Sequence, residues 1–212
     1  MDTLSGHDTK EKILNVAEEL FAQHGFDSTS MREITGKAHV SLALVNYHFG
    51  SKEKLLIALV EKHFSAINEE RRRIYEALRR DFEDKPIPLE TILRATIKPF
   101  SEKMHQTPQK IMGLVQINSH QIKNNPSFWA DMWRKHFSDI TEWFVREIHL
   151  TLPNLSEDDI YFRFHFMIGC MLSSIANPDR LELISKDKIR IAESEDRYQE
   201  ELIRFCINAF TD

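Results

Sequence analysis

Apolar side chains recur with the period of an α-helix along almost the whole chain. The first run follows Thr9, and spacings of three and one residues bring its members to one helix face: Ile13, Val16, Ala17, Leu20 and Phe21. Folds rich in β-strands need many tight turns, yet Gly and Pro number only 6 and 7 among 212 residues. The pattern therefore predicts an all-α protein.

Nine helices are predicted from this period and from the residues that interrupt it. Gly25 and the pair Gly50-Ser51 end two of them, and residues before proline end others because proline disfavours the α conformation at the preceding position. The predicted helices span about residues 9–24, 30–38, 41–47, 52–82, 89–105, 108–123, 126–150, 156–176 and 193–211. No segment is typical of a strand.

Several classes of protein are disfavoured by the sequence. The longest apolar run, residues 166–175, is about half as long as a membrane span requires. The N-terminus lacks the apolar core of a signal peptide, so we expect a cytoplasmic protein with no membrane partner. The 10 histidines form no HExxH pair, and neither a GxSxG nor a P-loop pattern occurs. We therefore expect no metal, no cofactor and no enzymatic activity.

Two short helices, predicted at residues 30–38 and 41–47, follow the first helix and are joined by a break at His39 and Val40. Ser30 and Glu33 have the spacing of a capping box, which marks the start of the first short helix. Two short helices joined by a tight turn and packed beneath a longer one form a helix-turn-helix. The net charge of −5 does not by itself indicate a nucleic-acid binder, so any positive surface must be local.

The second short helix has side chains that can read DNA bases. Leu42, Ala43 and Leu44 cannot all be buried by so short a helix, so small apolar groups face outward, where they suit a thymine methyl group. Asn46, one turn further on, either bonds an adenine edge or caps the helix C-terminus. The nearby side chains that suit phosphate oxygens are Tyr47, His48, Lys52 and the hydroxyls of Ser28, Thr29 and Ser30.

Residues 29–56 resemble the DNA-binding signature of the TetR family of transcriptional regulators. The matching residues are Thr29, Ile34, Ala38, Val40, Ser41, Val45, Tyr47, His48, Phe49, Ser51, Lys52 and Leu55. The resemblance implies an all-α homodimer with a DNA-binding domain at residues 1–51 and an effector-binding and dimerisation domain at residues 52–212. It places Val45 and Phe49 in the core. It implies DNA contacts from Thr29, Ser30, Arg32, Ser41, Leu42, Ala43, Asn46, Tyr47, His48 and Lys52.

Three positions depart from the family pattern. His39 and Ala43 stand where glycine is common, and Asn46 stands where an aromatic residue is common. If His39 adopts the left-handed conformation, its side chain costs roughly 1 kcal/mol. These departures change which bases are read rather than whether DNA is bound. Within the family, residues 37–52 and 162–169 most resemble the fatty-acid-responsive PsrA-type repressors.

Two sets of apolar residues in the C-terminal half each have two interpretations. Aromatic and methionine side chains at helical spacing are typical of a core, but a ligand cavity within a helical bundle is lined by the same residue types. The candidates for effector binding are Phe100, Met104, Met112, Val115, Phe128, Trp129, Met132, Trp133 and Phe166. The candidates for a dimer interface, favoured over internal core, are Ile160, Phe164, Met167, Ile168, Met171, Leu202 and Phe205.

The arginine runs at residues 71–73 and 79–80 also have two interpretations. They suit the phosphates of DNA or of an acyl-CoA. Acidic residues at helical spacings favour instead a solvated helix face held by ion pairs.

Together these features predict a repressor that a hydrophobic small molecule releases from a near-palindromic operator in double-stranded DNA. A fatty acid or an acyl-CoA is one candidate effector. The alternative is a small-molecule binding protein of the same fold that binds no operator. The departures at His39 and Ala43 and the weak basic charge favour the alternative, whereas the set of phosphate-contact residues favours the regulator.

Overall fold

The computed structural model describes residues 6–106, 126–176, 179–190 and 195–211. Within these residues the chain forms ten α-helices and no strand, which confirms the predicted all-α fold class. The helices are α1 Gly6–His24, α2 Met31–Ala38, α3 Leu42–Phe49, α4 Lys52–Phe82, α5 Leu89–Gln106, α6 Pro126–His136, α7 Ser138–Thr151, α8 Glu157–Ala176, α9 Asp179–Ser185 and α10 Glu195–Thr211. Among the described residues no helix is long and apolar enough to cross a membrane.

The observed helices differ from the predicted ones at two places. The helix predicted at residues 108–123 lies outside the described residues and is not compared. The helix predicted at residues 126–150 is in fact two helices, because the chain breaks at Phe137, where φ is −128° and ψ is −9°. The Asn68 side chain donates a hydrogen bond of 2.7 Å to the His136 carbonyl at this break. The charged stretch predicted as a separator contains the short helix α9.

The described residues divide into two compact units. The first comprises residues 6–65 and 126–133, and the second comprises residues 66–106, 134–176, 179–190 and 195–211. The helix α4 supplies residues to both units. The sequence predicts a boundary between the DNA-binding domain and the effector-binding domain after residue 51. This boundary is defined by what the residues bind, so it stays a prediction.

The first unit is built on α1, α2, α3 and the beginning of α4. Its fully buried apolar side chains are Ile13, Ala17, Ile34, Ala38, Val45, Leu55 and Leu59. His63 Nε2 lies 2.5 Å from Glu18 Oε1, and both side chains are buried. Lys62 Nζ bonds the side chain of Glu11 at 2.9 Å. These contacts tie α4 to α1 and so fix the base on which α2 and α3 pack.

The second unit centres on α5, which packs against α7, α8 and α10. Its core side chains include Ile92, Leu93, Ile97, Phe144, Ile148, Ile160, Phe164, Ile203 and Phe210. The Phe144 ring lies 4.7 Å from the Phe164 ring and 5.7 Å from the Phe210 ring, measured between centroids. Arg94 donates two hydrogen bonds to the Glu200 carboxylate, at 2.6 and 2.5 Å, and so joins α5 to α10.

The arginines of α4 have two different environments. Three of them have carboxylate partners: Arg72 with Asp139, Arg73 with Glu70, and Arg79 with Glu147. The predicted pairing with acidic residues at helical spacing is therefore confirmed for Arg73, whereas Arg72 and Arg79 pair with carboxylates of α7. The same prediction is wrong for Arg71, which is buried in the second unit.

Candidate nucleic-acid interface

The helices α2 and α3 are each fixed by a side chain at their first turn. The Glu33 N–H donates to Ser30 Oγ at 3.1 Å, and the Ser30 N–H donates to Glu33 Oε2 at 3.5 Å, so the predicted capping box is present. At the start of α3, the Leu44 N–H donates to Ser41 Oγ at 3.2 Å. Each cap satisfies an N–H group that has no partner within its own helix. The caps therefore define where α3 begins relative to α2.

The turn between α2 and α3 passes through His39, which has the left-handed conformation with φ 52° and ψ 46°. The Val40 N–H donates to the Thr35 carbonyl at 3.1 Å, and the His39 N–H donates to the Gly36 carbonyl at 3.3 Å. This is the pattern by which a left-handed residue ends a helix. Glycine takes this conformation without strain, whereas the histidine Cβ costs about 1 kcal/mol. The turn nevertheless closes in the form that a helix-turn-helix needs.

The helix α3 has one buried face and one exposed face. Val45 and Phe49 are buried, as predicted. The exposed residues form a set that we call the α3 stripe: Leu42, Ala43, Asn46 and Tyr47. They occupy positions i, i+1, i+4 and i+5, so they lie side by side along the helix. Tyr47 is 84% exposed, and a large aromatic ring left in solvent on a short helix is typical of a recognition surface.

Two of the predicted phosphate contacts are instead internal. Thr29 is 1% exposed, and its hydroxyl donates to the Gly25 carbonyl at 2.8 Å. Lys52 Nζ donates to the carbonyls of Phe26 and Thr29 at 2.9 Å each. The loop between α1 and α2 leaves carbonyl groups without helical partners, and these two side chains supply the missing donors. In this structure Thr29 and Lys52 therefore stabilise the loop, and their contacts with phosphate stay a prediction.

The other polar candidates lie nearer the surface. Ser30, Arg32 and Ser41 are exposed, and His48 is half-buried. The Arg32 guanidinium makes no hydrogen bond or ion pair with any described residue. Lys54, which sequence reasoning counted only in the charge of the segment, is exposed, and its ammonium lies beside Gly50 at the end of α3. The sequence cannot separate it from Lys52, because both residues follow the Ser51 cap within one turn.

The described candidates for effector binding have different environments. Phe100 and Met132 are buried, whereas Trp133 and Phe166 are exposed. Phe166 is 62% exposed on α8, so it does not line an enclosed cavity within this chain. The remaining candidates, whose side chains lie outside the described part of the structure, are Met104, Met112, Val115, Phe128 and Trp129. The effector pocket stays a prediction.

A cavity of about 670 Å³ lies between α8, α9 and α10. Leu202 and Phe205 line it, and none of the described effector candidates does. Cys170 also lines the cavity, while Cys206 is buried. Burial, with a smaller contribution from Cys170, raises the pKa of the Cys206 thiol to about 11. The size of the cavity suits a small organic molecule.

The candidates for a dimer interface divide between the interior and the surface. Ile160, Phe164, Met167 and Met171 are buried by their own chain, so their side chains are not available to a second copy. Ile168 and Leu202 are half-buried, and Phe205 is exposed. A second apolar face of α8 points to solvent instead, and it consists of Tyr161, Phe162 and Phe166. The apolar side chains of α8 that remain exposed therefore differ from the four that were predicted and are buried.

A capped α2, a closed turn and an exposed stripe on α3 define a helix-turn-helix protein. Comparison with family models agrees with this class. The model described as bacterial regulatory proteins of the tetR family matches residues 13–59. The model described as the tetracyclin repressor-like C-terminal domain matches residues 94–209, which is more than half of the chain. The chain belongs to the TetR family of bacterial regulatory proteins.

Curated relatives match mainly in the N-terminal part. The chain is 27% identical over 85 residues to the HTH-type transcriptional repressor NemR of Escherichia coli, a match that covers 40% of this chain and 43% of NemR. It is 28% identical over 113 residues to the HTH-type transcriptional repressor NicS of Pseudomonas putida, covering 53% of this chain and 50% of NicS. The matched stretches therefore span half or less of these relatives.

Solved structures share the fold over nearly the whole chain. A TetR-family regulator from Bordetella parapertussis superposes with a TM-score of 0.66 at 14% identity, covering 96% of this chain and 94% of that one. The fatty acid degradation regulator FadR from Bacillus halodurans superposes with a TM-score of 0.58 at 14% identity, covering 92% of this chain and 94% of that one. At these identities the likeness shows the fold alone.

Proposed function

We propose that this chain is a transcriptional repressor that binds a near-palindromic operator in double-stranded DNA as a homodimer. The observation that supports this most strongly is the α3 stripe, which stands exposed at the end of a capped and closed helix-turn-helix. The Asn46 side chain makes no hydrogen bond with any described residue, so its amide is available to bond an adenine edge. Leu42 and Ala43 offer the small apolar groups that suit a thymine methyl group.

The phosphate contacts in this proposal come from side chains around α3 rather than from Lys52. Arg32 near the start of α2 and Lys54 in the first turn of α4 are exposed cations. Ser30, Ser41 and His48 add polar groups that suit phosphate oxygens. These phosphate contacts fix the orientation of α3 in the major groove, and the α3 stripe then contacts the bases that determine which sequence is bound.

The homodimer is supported by apolar side chains that the chain leaves in solvent. Phe162 and Phe166 on α8 and Phe205 on α10 are each more than half exposed. Exposed aromatic groups on two neighbouring helices are typical of an interface. A two-fold dimer places two recognition helices in successive major grooves, roughly 34–36 Å apart, which is why the operator is near-palindromic.

The effector in this proposal is a hydrophobic small molecule that binds in the C-terminal part and releases the DNA. A fatty acid or an acyl-CoA is one candidate, in line with the PsrA-type resemblance of residues 37–52. The helix α4 is continuous from Lys52 to Phe82 and carries residues of both units, so it is the element through which binding in one unit can affect the other. By linkage, the effector and DNA weaken each other's binding by the same factor.

The experiment is a selection of bound duplexes from a pool with a randomised central segment, followed by anisotropy titrations of the enriched duplex and a scrambled one. We expect an enriched motif with two-fold symmetry. In the Asn46→Ala variant, affinity for the enriched duplex falls by about 1–3 kcal/mol while affinity for the scrambled duplex is kept. The matched control is Asn154→Ala, because Asn154 is exposed in the second unit. Equal losses on both duplexes for Asn46→Ala contradict its role as a base reader.

The second candidate function is a small-molecule binding protein that binds no operator. The internal use of Thr29 and Lys52 favours it, because two of the predicted phosphate contacts are lost. The same selection separates the two functions. A small-molecule binding protein enriches no motif in the selection. Its affinity for DNA is weak, and adding salt lowers that affinity by the same factor for every duplex sequence.

A further inference from the structure

Arg71 is a buried arginine for which the described residues supply no carboxylate. It lies on α4 in the second unit and is 5% exposed. Its Nε donates to the Thr96 carbonyl at 2.9 Å, and its Nη1 donates to Asn68 Oδ1 at 3.1 Å. Both acceptors are neutral, and Nη2 makes no hydrogen bond with any described residue. The other arginines of α4 that form ion pairs are all more exposed than Arg71.

A buried charge with only neutral acceptors is costly, because water is removed without a counter-charge to replace it. Burial lowers the pKa of the Arg71 guanidinium, but arginine keeps its proton at neutral pH. Among the described residues, the groups that bond Arg71 therefore compensate its charge only in part. Such a charge is typical of a binding site rather than of a core.

The groups around Arg71 belong to α4, α5 and the end of α6. Asn68 accepts from Arg71 and donates to the His136 carbonyl at 2.7 Å, where the chain breaks between α6 and α7. The Tyr75 hydroxyl lies 3.1 Å from Thr96 Oγ1, and Thr96 donates in turn to the Ile92 carbonyl. The Thr96 hydroxyl proton is therefore already used, so Tyr75 is the donor to Thr96. Arg71 thus sits where α4, α5 and the α6–α7 break meet.

Aromatic rings border this polar group. Tyr75 is buried and stacks on Trp143 of α7, with ring centroids 3.6 Å apart and planes within 2°. Burial raises the pKa of the Tyr75 hydroxyl, so it stays protonated at neutral pH and remains a donor. A fixed cation beside flat apolar rings matches a ligand that has one acidic group on an apolar body.

We propose that Arg71 is the counter-charge for an anionic effector, namely an organic acid whose acidic group binds Nη2 and whose apolar part lies against the Tyr75 and Trp143 rings. This deepens the proposed function, on which it rests, by naming the chemical class of the effector. An acid bound there competes with Asn68 for the guanidinium. Because Asn68 also holds the His136 carbonyl, binding alters the contact that fixes the α6–α7 break.

The test measures acid binding to the full chain by isothermal titration calorimetry, without DNA. The probes are decanoate, 4-phenylbutanoate and 1-naphthoate, each compared with its uncharged primary amide. We expect wild type to bind at least one acid more tightly than its amide by about tenfold to 100-fold, the range that a charged hydrogen bond supplies. The Arg71→Met variant, which keeps an apolar side chain of similar length, binds that acid and its amide equally.

Two further variants keep the test decisive. Arg72→Met removes a neighbouring arginine that already has Asp139 as its partner, and we expect it to bind the acid as wild type does. Arg71→Lys keeps the charge and retains part of the preference for the acid, which a purely structural role does not predict. Circular dichroism confirms that each variant is folded. Binding of none of the three acids, or an unchanged preference in Arg71→Met, overturns the proposal.

This outcome is independent of the DNA experiment. If an acid binds through Arg71 and the selection enriches no operator, the acid site stands and the repressor proposal fails. If the selection succeeds and no acid binds, the repressor proposal stands and Arg71 is a structural residue.

Discussion

Replacing Lys52 with methionine separates a structural lysine from a DNA-binding one. Lys52 Nζ bonds the carbonyls of Phe26 and Thr29 at 2.9 Å each and lies 4.4 Å from the centroid of the Phe26 ring. A hydrogen bond from a charged group contributes about 1.5–3 kcal/mol, and a half-buried cation over an aromatic ring adds about 0.5–1 kcal/mol. Lys52 is half-buried, and methionine keeps the apolar contact with Phe26. We therefore expect the first unit to lose about 2 kcal/mol of unfolding free energy.

The assay combines urea unfolding, hydrogen exchange of the amides in residues 26–30, and the salt dependence of affinity for a random duplex. Lys52→Met speeds exchange in this loop and leaves the salt slope of the remaining DNA binding unchanged. The matched control is Lys54→Met, since Lys54 is exposed and lies beside Gly50. It keeps stability and reduces the magnitude of the slope by about 0.9 for each phosphate contact removed. If Lys52→Met reduces the slope and leaves stability and exchange unchanged, the structural role is refuted.

Three further predictions follow from single residues. His39→Gly removes the cost of a left-handed histidine, so thermal unfolding shows a gain of about 1 kcal/mol, whereas His39→Ala, which keeps the Cβ, shows none. Because the pKa of Cys206 is raised to about 11, roughly one Cys206 thiol in a thousand is ionised at pH 8. We therefore expect iodoacetamide to label Cys170 before Cys206, and equal labelling rates contradict this. Phe166→Glu places a charge on the exposed face of α8, so sedimentation equilibrium shows a shift from dimer to monomer that Asn154→Glu does not cause.

The helix-turn-helix could be predicted from the sequence because its determinants are local. Ser30 and Glu33 lie three residues apart, so one helical turn brings them together whatever the rest of the chain does. The turn at His39 follows in the same way from the lengths of the two helices that it joins. The resemblance of residues 29–56 to the family signature places Val45 and Phe49 in the core, and the structure buries both.

The residues that sequence reasoning misplaced depend on neighbours far along the chain. Lys52 turns inward because carbonyls more than 20 residues earlier in the chain lack donors. Arg71 belongs to the same arginine run as Arg73, but it has no acidic residue three or four positions away, whereas Arg73 has Glu70 and Glu76. The packing of α5 over Arg71 then buries it. The α6–α7 break has no proline or glycine, and its His136 carbonyl is held by a side chain of α4. None of these contacts leaves a periodic signal.

The helix α8 shows a related limit of periodicity. It is apolar on two sides, with Ile160 and Phe164 buried inside and Phe162 and Phe166 exposed outside. A period of 3.6 residues groups the members of each face, but it does not say which face the rest of the chain covers. The packing of α5, α7 and α10 against α8 decides which of the two apolar faces is buried.

The measurement that tests the central claim most directly is the ratio of the affinities of wild type for the enriched duplex and for a scrambled duplex at physiological salt. A sequence-specific regulator binds its operator at least about a thousandfold more tightly than other DNA. We predict a ratio of at least that size, and we predict that Tyr47→Ala and Asn46→Ala lower it. A ratio near one for wild type contradicts the account, and it leaves a TetR-family protein that does not read DNA sequence.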